Sequence, residues 1–144
     1  MFAIPFPYWH QCGLPRETPT EVLVDYCLNQ LSLILKQQSS PSDTAALIIE
    51  PVLGEGGYVP APTSFLQGLR KVCSDNNIML IIDEVQSGMG RTGDYWAIKE
   101  SGVQPDILLT AKGLGNGFPI SGVITRSELT NQLKKGSMGG TYAG

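Results

Sequence analysis

Apolar residues recur at helical spacing near the start of the chain, directly behind the segment Thr18-Pro19-Thr20-Glu21. The positions on this face are Leu23, Tyr26, Cys27, Leu31, Ile34 and Leu35. Apolar residues three and four apart are typical of an amphipathic helix, and the preceding segment indicates a capping box with proline at the first helical position. We therefore predict an irregular, proline-rich arm over residues 1–17 and a helix over residues 18–38.

Four apolar runs follow, at residues 45–49, 78–82, 107–109 and 120–125, and each is too short for a helix. The first three are largely apolar instead of alternating, which is typical of strands covered on both faces. Three helical segments are predicted after the first run. One is a helix in which Phe65, Leu66, Leu69, Val72 and Cys73 share a face, one is a short stretch at residues 95–101, and the last is capped by Ser127 and contains Leu129 and Leu133. Strands that alternate with helices indicate an α/β fold with a mostly parallel sheet.

Polar residues stand where each apolar run ends. Glu50 follows the first run, Asp83 the second and Lys112 the third. Because parallel strands joined by right-handed crossovers point the same way, these ends meet at one edge of the sheet, where open α/β sheets bind ligands. Neighbouring strands lie ~4.8 Å apart, so Asp83 and Lys112 are expected to face a shared crevice about one cofactor ring wide.

Each of these residues also has a purely structural interpretation. A lysine that closes a strand is usually a solvated surface group, and an aspartate at that place is usually a turn or helix cap. Glu50 before a proline is explained equally well as an edge carboxylate, and Thr141 as a turn residue between glycines. The residues taken singly leave both interpretations open.

Composition excludes several classes of protein. Apolar residues make up 42% of the chain and charged residues 16%, which is ordinary for a globular domain, and a net charge of -3 gives no reason to expect nucleic acid or an anionic membrane as partner. Three cysteines without a C-x-x-C pair and a single histidine argue against a metal site and against a secreted disulfide scaffold. With neither a signal peptide nor a long apolar run, the expected location is the cytoplasm, with the mitochondrion as the alternative.

Four motifs together resemble one known family. They are Ile-Glu-Pro-Val-Leu-Gly-Glu-Gly-Gly at 49–57, Ile-Ile-Asp-Glu-Val-Gln-Ser-Gly-Met-Gly-Arg-Thr-Gly at 81–93, Ala-Lys-Gly-Leu-Gly-Asn-Gly-Phe-Pro-Ile-Ser-Gly at 111–122 and Gly-Gly-Thr-Tyr-Ala-Gly at 139–144. In this order they resemble class III aminotransferases of fold type I, from about residue 45 to the end and more loosely from residue 3. The resemblance implies that residues 45–144 form the cofactor-site core of an incomplete large domain, a partial three-layer αβα sandwich whose last strand is antiparallel.

The resemblance implies a role for each residue at the predicted edge. Lys112 matches the lysine that forms an internal aldimine with pyridoxal 5′-phosphate (PLP) and then moves the proton in transamination. Asp83 matches the aspartate that keeps the pyridine nitrogen protonated. Val85 is expected to pack against the ring, and Gln86 to hydrogen-bond its phenolic oxygen. These roles suit the residue types, because only a deprotonated amine is a nucleophile and a carboxylate stabilises a protonated ring nitrogen.

Two further residues carry expectations about partners and substrate. Thr141 matches the threonine that contacts the cofactor phosphate of the neighbouring subunit, which implies a homodimer with shared active sites. Glu50 matches a glutamate that pairs with a substrate-binding arginine in enzymes acting on ω-amino acids. The motifs look most like those of γ-aminobutyrate aminotransferases, which implies an ω-amino donor such as γ-aminobutyrate and a 2-oxo acid acceptor.

Three alternatives stay open. The family enzyme is much longer than this chain, so a truncated fragment without catalytic activity is one alternative, and the phosphate-binding turn, the ring-stacking residue and the carboxylate-binding arginine are expected outside it. Another class III member, of the ornithine or acetylornithine type, is the second. The third is a dinucleotide-binding module, because residues 88–93 read G-x-G-x-x-G after a predicted strand, although residues 83–87 separate the strand from the first glycine and the following helix is short.

Overall fold

A four-stranded sheet is the centre of the molecule, with the strands in the order β1-β4-β5-β6. The computed structural model describes residues 1–137. Its strands are β1 (Ala46–Ile49), β2 (Val52–Leu53), β3 (Val59–Pro60), β4 (Met79–Asp83), β5 (Ile107–Thr110) and β6 (Gly122–Thr125), and its α-helices are α1 (Trp9–Cys12), α2 (Thr20–Gln37), α3 (Thr63–Asp75) and α4 (Ser127–Thr130). Single 3-10 turns occupy Pro41–Asp43, Ala97–Ser101 and Lys112–Leu114.

The pairing of the strands confirms the predicted topology. β1 and β4 are parallel, with Ile49 opposite Ile82, and β4 and β5 are parallel, with Asp83 opposite Leu109. β6 returns antiparallel to β5, so that Gly122 lies opposite Thr110. The α/β class, the mostly parallel sheet and the antiparallel last strand are therefore confirmed. β2 and β3 form a separate antiparallel pair beside the turn that follows β1.

α3 and the end of α2 cover one face of the sheet. Leu80 and Ile82 of β4 and Leu108 of β5 are buried in one cluster with Leu66 and Cys73 of α3. Successive strand residues point to opposite faces, so burial alternates along β4 and β5. On the other face Ile48 is 56% exposed. The prediction of strands covered on both faces is not met at Ile48 within residues 1–137, because α3 and the end of α2 pack on the opposite side.

The N-terminal arm is packed against the helices. The ring of Phe6 is 7% exposed and meets Phe65 of α3 edge-on, with ring centroids 6.2 Å apart. The arm also contains α1, which ends at Gly13 in the left-handed conformation (φ 65°) that glycine adopts without strain. The prediction of a wholly irregular arm is therefore wrong for residues 9–12, a stretch too short to show a periodic pattern.

The start of α2 differs from the predicted capping box. Pro19 stands at the N-cap position with ψ 144°, its carbonyl accepts hydrogen bonds from the N–H groups of Val22 and Leu23, and no side chain caps the helix. Thr18 therefore lies one residue before the cap position and two before the first helical residue, Thr20. The helix itself is confirmed, and Leu23, Cys27 and Leu31 of the predicted face are buried.

The last predicted helix is shorter than expected. Ser127 is its first helical residue instead of its cap, Arg126 occupies the cap position, and the helix ends at Thr130, so Leu133 lies beyond it.

Among residues 1–137, no helix combines the length and apolar character that crossing a bilayer requires.

Candidate active site at the carboxyl edge of the sheet

Asp83 and Lys112 stand at the same edge of the sheet. Asp83 is the last residue of β4, and Lys112 follows the end of β5, the next strand, by two residues. β4 and β5 are parallel, so both residues lie at carboxyl ends. This edge is where open α/β sheets bind small molecules.

The chain turns sharply to present Lys112. Ala111 is extended, and Lys112 itself has φ 39°, in the left-handed region that non-glycine residues rarely occupy. Strained backbone of this kind is concentrated at functional sites. The amine of Lys112 donates a hydrogen bond to Gln86 Oε1 at 3.0 Å, and the amide nitrogen of Gln86 donates to the hydroxyl of Tyr58 at 3.2 Å.

Gly54 supports the other side of Gln86. A Cβ at this position would lie 2.7 Å from Gln86 Oε1 and 3.1 Å from Glu50 Oε2. The Gly54 N–H donates to Glu50 Oε2 at 3.0 Å, so the Glu50 carboxylate closes the turn after β1. Gly54 and Tyr58 were not among the site residues predicted from the sequence. The glycine-rich stretch after Glu50-Pro51 was the signal available for Gly54, because close approach of backbone to a side chain favours glycine.

Asp83 is held by the backbone that follows it. Its Oδ1 accepts a hydrogen bond from the N–H of Val85 at 3.0 Å, and within residues 1–137 its second oxygen has no hydrogen-bond partner. Asp83 is partly buried and lies on the face of β4 opposite the core residues Leu80 and Ile82. Its carboxylate is thus fixed in direction and retains one free oxygen.

A cavity of about 440 Å³ opens beside Lys112, in the size range of small-molecule sites. Lys112, Gln86, Tyr58, Gly54, Arg91 and Val52 are among its lining residues. Asp83 and Val85 are not part of this lining, and Glu50 lines a different groove, along β1. The structure therefore brings Lys112 and Gln86 together on one wall and places Asp83 on the adjacent strand end. Thr141 lies outside the described residues.

The residues of this edge fit a planar, carbonyl-bearing cofactor. Within residues 1–137 the Lys112 amine is bonded to a neutral amide and forms no ion pair, so it is available to a carbonyl carbon. The free oxygen of Asp83 is a suitable acceptor for a protonated ring nitrogen.

The glycines at residues 88–93 do not form a dinucleotide-binding turn. Such a turn opens directly into a helix, whereas the chain here continues through turns to the 3-10 turn at Ala97–Ser101. Gly88 packs so tightly that a Cβ would lie 2.7 Å from the Glu84 carbonyl oxygen and 2.9 Å from the Trp96 ring. The glycines therefore allow a compact loop beside the cavity, and the dinucleotide hypothesis is contradicted.

Known proteins that resemble this chain are aminotransferases. The family model Aminotransferase class-III matches residues 8–144. The chain is 46% identical over 120 residues to the 4-aminobutyrate aminotransferase GabT of Escherichia coli K12. The matched segment covers 83% of this chain and 28% of GabT. It is 44% identical over 123 residues to the 5-aminovalerate aminotransferase DavT of Pseudomonas putida (85% and 29%), and 51% identical over 110 residues to the acetylornithine aminotransferase of the same organism (76% and 27%). The chain thus spans less than a third of the length of these relatives.

Solved structures of transaminases share the fold. An (S)-enantioselective ω-transaminase from Thermomicrobium roseum superposes with a TM-score of 0.82 at 32% identity, over 94% of this chain and 31% of that one. A PLP-bound amine transaminase from an uncultivated Pseudomonas species gives a TM-score of 0.77 at 33% identity, over 89% and 28% of the two chains.

Proposed function

This chain belongs to the class-III aminotransferases, and from that premise we propose that it holds PLP in an enzyme that transfers amino groups. The observation that carries the proposal is the amine of Lys112 at the wall of a ligand-sized cavity, 3.0 Å from Gln86 Oε1. When bound, PLP supplies an aldehyde for covalent attachment and a ring that takes up the electron pair left by the substrate's Cα proton.

Lys112 is proposed to hold the cofactor and to carry the proton. Its amine is a base that accepts a proton when neutral and returns it when charged, which arginine at this position would not do. The left-handed turn at residue 112 projects the side chain from the end of β5, and the Gln86 amide orients it. In this proposal Gln86 also lies within reach of the cofactor's phenolic oxygen.

Asp83 is proposed to bind the ring nitrogen. A carboxylate there stabilises the protonated ring, and the hydrogen bond from the Val85 N–H keeps the carboxylate pointing in one direction. Val85 is proposed to pack against the face of the ring. Asn at position 83 would preserve the shape and the hydrogen bond while removing the charge.

The substrate and the partner are proposed at a finer level than the family. We propose an ω-amino acid such as γ-aminobutyrate as donor and a 2-oxo acid as acceptor, with a homodimer in which Thr141 contacts the neighbouring subunit's cofactor phosphate. Relatives named for 4-aminobutyrate, 5-aminovalerate and acetylornithine resemble the chain to a similar degree. The choice of donor therefore depends on side chains and not on overall identity.

Glu50 is proposed as the substrate-side carboxylate, and its geometry allows a sharp test. Glu50 already accepts a hydrogen bond from Gly54 N–H, whereas Glu55 lies exposed in the same turn. Substituting each by glutamine separates the two carboxylates. If Glu50 acts on the substrate, Glu50→Gln changes the preference between ω-amino acids and Glu55→Gln does not. The opposite result would transfer the role to Glu55.

Amino transfer by the purified protein tests the proposed function. The protein is supplied with PLP, 2-oxoglutarate and one donor at a time, and glutamate formation is measured for γ-aminobutyrate, 5-aminovalerate and N-acetylornithine. The proposal expects PLP-dependent turnover that is abolished in Lys112→Ala, with γ-aminobutyrate as the best donor. Tight binding of PLP without turnover for any donor would instead favour the inactive fragment.

A further inference from the structure

Glu84 is a buried carboxylate that the proposed chemistry does not use. It is 0% exposed, and within residues 1–137 it has no ion-pair partner. Both its oxygens are hydrogen-bonded, Oε2 to the hydroxyl of Ser87 at 2.6 Å and Oε1 to the N–H of Ile98 at 2.8 Å. Burial of a carboxyl group without a cation is unfavourable unless the group is hydrogen-bonded. These two hydrogen bonds therefore compensate for the burial of Glu84.

We propose that Glu84 is a positioning residue that fixes Gln86 and, through it, the amine of Lys112. Main-chain hydrogen bonds of Glu84 stabilise the same turn, residues 84–88, that its side chain stabilises. The Glu84 N–H donates to the carbonyl of Leu109 in β5 at 2.9 Å, and the Glu84 carbonyl accepts from the N–H of Gly88 at 3.1 Å. Gln86 thus lies inside a turn, residues 84–88, that is closed by one side-chain and one main-chain hydrogen bond and anchored to the strand that leads to Lys112.

The position of Gln86 leaves little tolerance for movement of this turn. Its Oε1 lies 2.7 Å from where a Cβ of residue 54 would stand, and it is the hydrogen-bond acceptor for the Lys112 amine at 3.0 Å. Hydrogen bonds weaken steeply once distance and angle depart from this range. A turn released from the Glu84 carboxylate therefore separates Gln86 from Lys112 before it disturbs the core.

The bond to Ile98 extends the effect to the whole loop. It joins the start of the segment, at the end of β4, to the 3-10 turn at Ala97–Ser101, so that residues 84–98 are closed at both ends by one side chain. Main-chain bonds from the N–H groups of Met89 and Gly90 to the Tyr95 carbonyl close the middle of this loop, and the Glu84 side chain supplies the closure nearest the strand end. The carboxylate thus acts on the site without contacting substrate or cofactor.

The test reads the lysine directly in the purified protein without added PLP. Lysines are acylated with acetic anhydride, and the labelling rate of Lys112 is measured by peptide mass spectrometry relative to the exposed Lys71 as internal reference. Glu84→Ala removes both hydrogen bonds. Glu84→Gln keeps both, because its amide oxygen can accept from Ile98 N–H while its amide nitrogen donates to the Ser87 hydroxyl.

A matched control separates positioning from stability. Ser101→Ala removes a buried hydroxyl that donates to the Ile98 carbonyl at 2.7 Å and accepts from the Val103 N–H at 3.1 Å, in the 3-10 turn that the Glu84 carboxylate contacts but outside the lining of the cavity. Glu84→Ala is expected to raise Lys112 labelling about three- to tenfold, the equivalent of one lost hydrogen bond, while Glu84→Gln and Ser101→Ala stay within about twofold of the native rate. Gln86→Leu is expected to match Glu84→Ala, and the double variant to add nothing further.

Several outcomes would overturn the inference. A folded Glu84→Ala protein with a native Lys112 rate, or an equal rise in Ser101→Ala, assigns Glu84 to stability alone. If Glu84→Ala does not fold, Ser87→Ala removes only the first bond, and a native Lys112 rate in that variant counts against the proposal. The consequence for catalysis rests on the proposed function, but the labelling does not involve PLP. Failure of PLP to bind Lys112 would therefore not change the interpretation of the labelling rates. Unchanged labelling rates would likewise not argue against PLP binding at Lys112.

Discussion

Asp106 stands where four elements meet, and its replacement is the perturbation with the clearest expected magnitude. Its side chain is 14% exposed and accepts hydrogen bonds from Arg70 of α3 at 2.7 Å, from the N–H of Leu80 in β4 at 2.8 Å and from Arg126 after β6 at 3.0 Å. Asp106 immediately precedes β5, the strand that leads to Lys112. We expect Asp106→Ala to lower the free energy of unfolding by about 3–5.5 kcal/mol.

The magnitude follows from the three contacts. The Arg70 pair is mostly buried and contributes about 1.5–3 kcal/mol, as a hydrogen bond between charged groups. Loss of the acceptor leaves the Leu80 N–H unpaired, at about 1–2 kcal/mol. The Arg126 side chain is 59% exposed, so solvent screening limits its pair to about 0.5 kcal/mol.

The pH dependence has a definite sign. Burial alone would raise the pKa of Asp106, but the hydrogen bonds from Leu80 and Arg70 and the positive charges of Arg70 and Arg126 hold that pKa below its ordinary value of 3.8. A carboxyl group whose pKa is lower in the folded state stabilises the protein above the unfolded pKa. This stabilisation is present above pH 3.8 and is lost as the pH falls through the folded pKa, so the difference from Asp106→Ala narrows there.

Urea unfolding at neutral pH, followed by circular dichroism, measures the effect. Asp75→Ala is the matched control, because Asp75 forms an exposed pair with Lys71 (57% and 76% exposed) that is expected to contribute at most about 0.5 kcal/mol. Equal destabilisation by the two substitutions would refute the reasoning that burial gives the Asp106 contacts their strength.

Two further predictions concern the cavity and the buried thiols. Gly54→Ala places a Cβ 2.7 Å from Gln86 Oε1 and is expected to weaken PLP binding about tenfold in a cofactor titration. Gly68→Ala is the control, because its Cβ would meet Leu28 between α2 and α3 and is expected to leave PLP binding unchanged. Equal PLP affinities in the two variants would contradict this prediction. Burial raises the pKa of Cys27 to about 12 and of Cys73 to about 11. A disulfide reagent at pH 8 should therefore react more slowly in the folded protein than in urea, roughly a hundredfold for Cys73 and roughly a thousandfold for Cys27. Equal reaction rates of these thiols in the folded protein and in urea would count against their burial. The stability that the two neutral thiols confer is lost as the pH rises from 9 toward their raised pKa values.

The sheet could be predicted from the sequence because its signals are local. Each apolar run was bounded by turn residues, and the alternation of runs with helical patterns determines a parallel arrangement. The start of α2 was displaced because a proline fits both the cap and the first helical position, and only its ψ angle of 144° distinguishes them. Coverage of the second face was not determined by apolar strands alone, because the sequence does not show which surfaces meet other elements.

The site was predictable only in part, for a different reason. The motifs identified Lys112, Asp83 and Gln86 as residues of one edge, but the contacts among Gln86, Tyr58 and Gly54 join residues far apart in sequence. Glu84 was passed over because a charged residue beside a strand end is usually exposed. It is buried here because the loop returns the Ile98 N–H to it, which no local pattern reveals.

Attachment of the cofactor to one lysine is the most direct measurement of the central claim. The purified protein is incubated with PLP, reduced with borohydride and digested, and the modified lysines are identified by mass spectrometry. The account predicts the pyridoxyl group on Lys112, with weaker attachment after Asp83→Asn and none on the ion-paired Lys71 and Lys99. Modification spread over the exposed lysines, with Lys112 unlabelled, would contradict it.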